Sequence, residues 1–321
     1  MVIMMSREDE VLDTVSAHTG MLKSAAWLKN IRINQRTTGF SRTTTELIDK
    51  HKGEKAVVIG AGPAFKRFGY QDLNPFKFSY TKANYDDIVI IACDGALPTL
   101  AANNIKPDYV VSVDCHPVVA DFYRTYIQMG GRPFIPLLST TVHRNVVQVI
   151  KDNFNEFQSP IHWWQAFAKD DRQLSKGVGG GKMSEFFIDK VPTISTGGNV
   201  GTTSMIITAM ILGCLPIGLL GLEFSWSDET PLCDTQYYAQ IMRIVGGDEE
   251  AARDKYHRKL NRRDGKTYIA DDGYYSYWKA FKELWSLIPK PVRRRIFNLT
   301  REGILTADGL RTITMDEFLR K

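Results

Sequence analysis

The hydrophobic pattern of the chain changes near residue 55. Before that point Val11, Leu12, Val15, Leu22, Trp27, Leu28 and Ile31 recur at roughly helical spacing in a polar background. This predicts a helical leader from residue 6 to about 50, running into the Thr/Ser-rich stretch 37–45 and packing on the core without chemistry of its own. Beyond it, short apolar runs alternate with helical segments. Ala56–Ile59, Ile88–Ala92, Tyr109–Val113, Phe134–Leu138 and Ile217–Leu220 are β-branched or Leu-rich, as strands buried on both faces are. Helices are expected over 97–103, 145–153 and 205–212. Strand and helix in alternation imply an α/β fold: a Rossmann-like, doubly wound, mostly parallel sheet that receives ligands at its carboxyl ends. The stretch 154–195 is less regular. After residue 226 the pattern predicts a charged helix over 248–260, an aromatic-rich helix over 274–287 and a short helix over 315–319.

Two glycine-bearing turns fall where a buried strand hands over to a helix. They are Gly60-Ala61-Gly62-Pro63 and Thr196-Gly197-Gly198-Asn199-Val200-Gly201. Glycine lets backbone N–H groups approach a ligand closely, and a following helix N-terminus favours negative charge, so such turns cradle phosphate. The first turn lacks the G-x-G-x-x-G spacing of a dinucleotide site, and Pro63 suits a first helical turn. Its plainer reading is a tight turn, and that of the second is an ordinary capped helix start. The loop Gly177–Lys182 has Met183 where a Walker motif needs Ser or Thr, and reads as a flap.

Other candidates lie at strand ends. Asp94, with Gly95 beside it, either caps the next helix or accepts a hydroxyl of a bound sugar. Asp108 opens the strand 109–113 as a turn residue, whereas Asp114 closes it, where function would sit. His116 beside Asp114 is a candidate base or ligand contact, with a structural role as its plainer alternative. Glu223, after the strand 217–220, binds a ribose or a metal, or simply caps.

The remaining features narrow the class. The chain has 321 residues, is 43% hydrophobic and 24% charged, and carries a net charge of +5, ordinary globular material with a mild basic excess. Much of that excess sits in Lys255–Arg263 and Lys290–Arg295, read as solvated faces, with contact to an anionic substrate or a membrane surface as the alternative; no aromatic-interleaved motif points to nucleic acid. Pro216 divides the longest apolar stretch, so no membrane span is expected. The apolar Met1–Met5 is followed by Arg7, Glu8, Asp9 and Glu10, without the basic-then-apolar order of a secretory signal, and a cytoplasmic location is expected. Cys93, Cys115, Cys214 and Cys233 are far apart, which favours reduced thiols over a zinc site or disulfide.

The ordered set Ala56–Pro63, Asp94-Gly95-Ala96, Pro107–Val111 with Asp114, Gly197–Val200 and Leu212–Phe224 resembles the 6-hydroxymethylpterin diphosphokinase-like domain family, which includes the central domain of the flagellin motility accessory factors. The resemblance covers about residues 30 to 225. The first and last motifs also resemble bacterial sialyltransferases that use CMP-sialic acid. Together these imply a Rossmann-like sheet whose two loops hold a nucleotide. Pterin diphosphokinases of the family carry an acidic pair for magnesium after the strand that Asp114 ends; here Asp114 is followed by Cys115 and His116. Phosphoryl transfer depends on metal-held charge neutralisation, whereas a CMP donor parts with one phosphate that loop hydrogen bonds can stabilise. From the sialyltransferase pattern the chain departs at Ala61, Ala64 and Glu223, and His257 is the histidine that follows the second motif.

The resemblance therefore implies a helical N-terminal extension (1–50), a nucleotide-binding transferase domain (51–230) and a helical, charged C-terminal region (231–321). The expected activity is transfer from a nucleotide-activated donor, glycosyltransferase-like, with a donor of the CMP-nonulosonic acid type. The alternatives are a magnesium- and ATP-dependent diphosphokinase and a non-catalytic nucleotide-binding scaffold. Asp114, His116 and His257 are the catalytic candidates. Gly60, Ala61, Gly62, Pro63, Asp94, Gly95, Thr196, Gly197, Gly198, Asn199 and Glu223 are the nucleotide-binding candidates. No cofactor is required on the first reading, magnesium with ATP on the second; the acceptor, whether glycan, protein or small alcohol, is open.

Overall fold

The structure is a computed structural model that describes residues 7–62, 88–167, 188–234, 238, 242–243, 245–256, 258–261, 265–300 and 302–321, with side chains from residue 23 onward except at 234, 255, 256, 258, 259 and 261. Nine strands form one sheet: β1 (Lys55–Ile59), β2 (Ile88–Cys93), β3 (Tyr109–Ser112), β4 (Ile135–Ser139), β5 (His162–Phe167), β6 (Thr193–Ser195), β7 (Ile217–Leu220), β11 (Ile296–Asn298) and β12 (Arg311–Thr312). Their order is β12-β11-β7-β1-β2-β3-β4-β5-β6, and every pairing is parallel. A separate antiparallel sheet holds β8 (Trp226–Ser227), β9 (Arg258–Asn261) and β10 (Thr267–Ala270).

The apolar runs become strands because both faces of the sheet are covered. Val57 and Ile59 of β1 join one core with Ala92, Val110, Leu138 and Trp163, while Ala56 and Val58 join the other with Ile91, Tyr109, Val111 and Trp164. The first face carries helices α2 (Leu97–Ala102), α3 (Val119–Gln128) and α4 (Arg144–Asn153), packed side by side. Helix α5 (Val200–Met210) lies on the other, against β1, β2, β3 and β7. It has no charged residue and is buried nearly all round. Thr203, Ser204 and Thr208 satisfy their hydroxyls by donating to carbonyls four residues back, at 2.9, 2.8 and 2.7 Å. The chain thus runs outward from β1 to β6, returns through α5 to β7 on the opposite flank of β1, and continues outward to β11 and β12. Between β1 and β7 the direction of winding reverses, the place where open α/β sheets bind ligands.

The leader is one helix, α1 (Arg7–Thr38), ending before a short turn at Thr44–Leu47. It is seated across the carboxyl ends of β3 and β4. Asn30 donates to the carbonyls of Cys115 (3.4 Å) and Thr141 (3.1 Å), and Asn34 to those of Thr140 (3.1 Å) and Val142 (2.9 Å).

The C-terminal region supplies α6 (Glu249–Tyr256), α7 (Asp272–Leu287), α8 (Lys290–Arg293) and α9 (Met315–Leu319), and also extends the main sheet with β11 and β12. The helix expected over 248–260 stops at Tyr256, because Arg258–Asn261 hydrogen-bonds with β10 as β9. The helix expected from Met205 begins five residues earlier, at Val200, because Asn199 caps it. Strands β5 and β6 come from the stretch read as irregular. Among the described residues no helix is long and apolar enough to cross a membrane. Pro63, the loop 177–182 and His257 lie outside the described residues.

Candidate functional site

Four segments meet at the carboxyl ends of β1, β2 and β7. The Gly60 N–H donates to the Leu220 carbonyl (2.8 Å) and the Gly62 N–H to that of Gly221 (2.9 Å), so the turns after β1 and β7 run in contact. No side chain fits between them. A Cβ at Gly60 would fall on the Gly221 carbonyl oxygen, and one at Gly62 on the Glu223 carboxylate. A Cβ at Gly95 would sit 3.0 Å from the Ala61 Cβ, and one at Gly201 would overlap Leu222. The turns 60–62 and 197–201 therefore both lean on residues 221–223.

Gly197 and Gly198 have φ of +58° and +75°, the left-handed region that glycine occupies without strain. They reverse the chain between β6 and α5. Thr196 Oγ1 accepts from the Gly198 N–H at 3.2 Å. Asn199 accepts from the Thr202 N–H (2.8 Å) and donates to the Gly197 carbonyl (3.0 Å) and Thr202 Oγ1 (2.9 Å). Its side chain is committed to the cap, which leaves backbone groups of this turn for any ligand. Asn199→Ala is thus expected to lower stability by about 1 kcal/mol, as loss of an N-cap does. Chemical denaturation measures this; an unchanged midpoint would contradict the cap.

Asp94 is 7% exposed and closes β2. Burial pushes its carboxyl up to about 6, against the hydrogen bonds from Ser112 and the Gly95 N–H, with the Asp114 charge adding to the rise. When Asp94 is ionised, the Ser112 hydroxyl donates to it and accepts from Tyr123 (2.7 Å). Glu223, 1% exposed, lies behind Gly62 and Gly303, and its carbonyl accepts from the Ile304 N–H at 2.9 Å.

Asp114 and His116 form a second group, after β3. Lys23 of α1 reaches Asp114 at 3.2 and 3.3 Å. Burial works to lower the Lys23 pKa, but the Asp114 charge and hydrogen bond, with Cys115 and Tyr277, outweigh it and the net shift is upward. The His116 N–H donates to Asp114 Oδ1 at 3.1 Å. The leader helix, given no chemistry from the sequence, thus supplies a cation here; helical periodicity carries no signal for that. Sequence reasoning also passes over Tyr277 of α7. It lies 3.4 Å from where a Gly198 Cβ would be, and belongs to an aromatic row with Tyr274 and Trp226.

Among the described residues no disulfide joins the cysteines: Cys93, Cys115 and Cys214 are buried and Cys233 is exposed. Among the described residues no group of three or more His, Cys, Asp and Glu is placed to hold a metal ion.

The fold defines a doubly wound α/β protein whose glycine-bearing turns meet at the switch point of its parallel sheet. The chain belongs to the family described as 6-hydroxymethylpterin diphosphokinase MptE-like, which it matches over residues 26–229, more than half of its length. An uncharacterized protein of Treponema pallidum (strain Nichols) is 28% identical over 118 residues, 37% of this chain and 49% of the relative. The aligned stretch thus spans about half the length of that relative. The structure described as a MAf glycosyltransferase from Magnetospirillum magneticum AMB-1 matches 98% of this chain and 39% of its own, with a TM-score of 0.54 at 14% identity. At that identity the likeness is one of fold.

Proposed function

We propose that this chain is a transferase that binds a nucleotide-activated donor, glycosyltransferase-like, with a donor of the CMP-nonulosonic acid type. The observation that carries the reading is the convergence of turns 60–62 and 197–201 on residues 221–223 at the β1/β7 switch point. The fold likeness to a glycosyltransferase and the family membership agree with it.

The Ala61 N–H and the first N–H groups of α5, at Val200 and Gly201, would hold the donor phosphate and stabilise the charge it gains on leaving. Transfer breaks the anomeric carbon–oxygen bond to that phosphate and forms one to an acceptor hydroxyl, whose proton passes to Asp114. Lys23 holds the Asp114 carboxylate in place, and Tyr277 offers a face on which the base can stack. Tyr277→Ala is expected to weaken CMP binding by about 1 to 2 kcal/mol, as removal of one stacking partner does, measured at a temperature well below the melting point because the ring also packs against the core. Equal affinity in a calorimetric titration would remove Tyr277 from the site.

The residues fit a magnesium–triphosphate site poorly. Asp94 is buried and hydrogen-bonded, Asp114 already faces an ammonium, and no third carboxylate joins them among the described residues. Titration with CMP, with ATP plus magnesium, and with GTP tests the proposal. Metal-independent CMP binding supports it. Metal-dependent ATP binding would establish the diphosphokinase instead, and no binding by any nucleotide would leave a scaffold.

A further inference from the structure

A cavity of about 380 Å³ lies between α1 and the loops that follow β3 and β4. Its polar groups come from three segments: Lys23, Lys29 and Asn30 of α1, His116 after β3, and His143 and Arg144 at the start of α4. Ala26, Ile33, Cys115 and Pro117 complete it, so part of the wall is apolar. Among the described residues no carboxylate lines it. Asp114, just outside, is engaged by Lys23 at 3.2 Å, whereas Lys29 and Arg144 have no carboxylate partner among the described residues.

Both histidines are fixed as donors toward their free edge. His116 Nδ1 accepts from the Val118 N–H and His143 Nδ1 from the Asn145 N–H, each at 3.2 Å. A ring nitrogen that accepts carries no proton, so the neutral imidazoles bear theirs on Nε2. Burial lowers the His143 pKa, and the charges of Arg144, His116 and Lys29 lower it further. Ammonium, guanidinium and imidazole N–H groups converging on a space larger than a single ion recognise an oxyanion attached to a larger body.

We propose that this cavity is an oxyanion subsite that takes a phosphate or carboxylate carried by the acceptor. The assignment to the acceptor rests on the donor crevice proposed above; the oxyanion subsite itself does not. From the β1/β7 crevice to the β3/β4 loops is three strand spacings, about 14 Å, along the same edge of the sheet. Asp114 stands between them. An acceptor anchored here by its anionic group would present a hydroxyl toward Asp114 while the donor occupied the crevice.

The test is proton NMR of the His116 and His143 ring resonances, assigned by single His→Gln variants of the whole chain, during titration with inorganic phosphate and, separately, acetate. Saturable shifts are expected with at least one of them, and the preferred anion identifies the group the acceptor carries. Lys29→Ala with Arg144→Ala should raise the dissociation constant by about a hundredfold, tenfold for each charge-assisted hydrogen bond removed. Both side chains are exposed, so the variant should melt as the parent does. The absence of saturable shifts, or shifts that the double variant leaves unchanged, would overturn the subsite. Displacement of the anion by CMP or CMP-sialic acid would overturn the acceptor assignment, since the cavity would then belong to the donor. Anion binding in a protein that binds no nucleotide would uphold the subsite while removing the donor reading.

Discussion

Gly60→Ala is expected to destabilise the protein by about 3 kcal/mol and, on the proposed function, to abolish CMP binding. The added Cβ would overlap the Gly221 carbonyl oxygen and approach its carbon to 3.0 Å and Leu222 Cγ to 3.2 Å. Two of those atoms are backbone, held because Gly60 N–H donates to Leu220 O and the Gly221 N–H donates to Thr300 Oγ1 at 2.9 Å. The ends of β1 and β7 must separate, and forcing atoms into a packed site costs about 1 to 3 kcal/mol, occasionally more. Gly62→Ala meets the far end of the Glu223 side chain as well as the Gly221 carbonyl (2.6 Å), so part of its strain can be relieved by moving a carboxylate. Its stability loss should be smaller and its effect on nucleotide binding comparable. Urea denaturation and CMP titration of the two variants separate these effects. Normal stability and affinity in Gly60→Ala would show that the two turns are not in contact.

The strands that frame this crevice are legible in the sequence because one physical rule governs them. Ala56–Ile59 and Ile217–Leu220 are buried on both faces, so every position is apolar or glycine, and a glycine turn follows each. Strand β5 breaks that rule. His162, Trp163, Trp164 and Gln165 read as irregular, yet the structure finds partners for the polar atoms of Trp164 and Gln165 far along the chain. The Trp164 indole donates to the Leu137 carbonyl (3.1 Å), and the Gln165 amide serves Ile188 and Val191. Such tertiary satisfaction leaves no local pattern. Strand β9 is hidden for a different reason: its basic residues continue the charge alternation of α6, and pairing with β10 decides the outcome. The candidate site divides the same way. Glycines at strand ends announce themselves, whereas Lys23, Lys29 and Asn30 fall on a helix whose polar positions look like a solvated face until the loops after β3 and β4 are laid against them.

The contribution of Asp94 to stability should fall as pH rises from about 4 to about 6, and Asp94→Asn should remove that contribution. Asp94 has its folded pKa raised to about 6 from an ordinary 3.8, burial being the principal cause. Between those values the folded protein keeps a proton that the unfolded chain has released, so the unfolded state binds fewer protons and stability declines with pH. The stabilising contribution of this group is complete below the unfolded value and lost above about 6. The shift corresponds to about 3 kcal/mol at its upper bound. Asp271, the N-cap of α7, is raised to about 6 by burial in the same way and contributes a parallel slope, while its Oδ1 accepts from the Tyr274 N–H at 2.7 Å. Asparagine at position 94 can still accept from Gly95 and Ser112 without ever ionising. Asp94→Asn should therefore be more stable than the parent at pH 7 and match it near pH 4, and the variant with Asp271→Asn added should show a flatter profile still. Denaturation midpoints at several pH values measure this. A parent profile that rises between pH 4 and 6, with no change in Asp94→Asn, would mean that the carboxylate is solvated and that the carboxyl end of β2 is open to water.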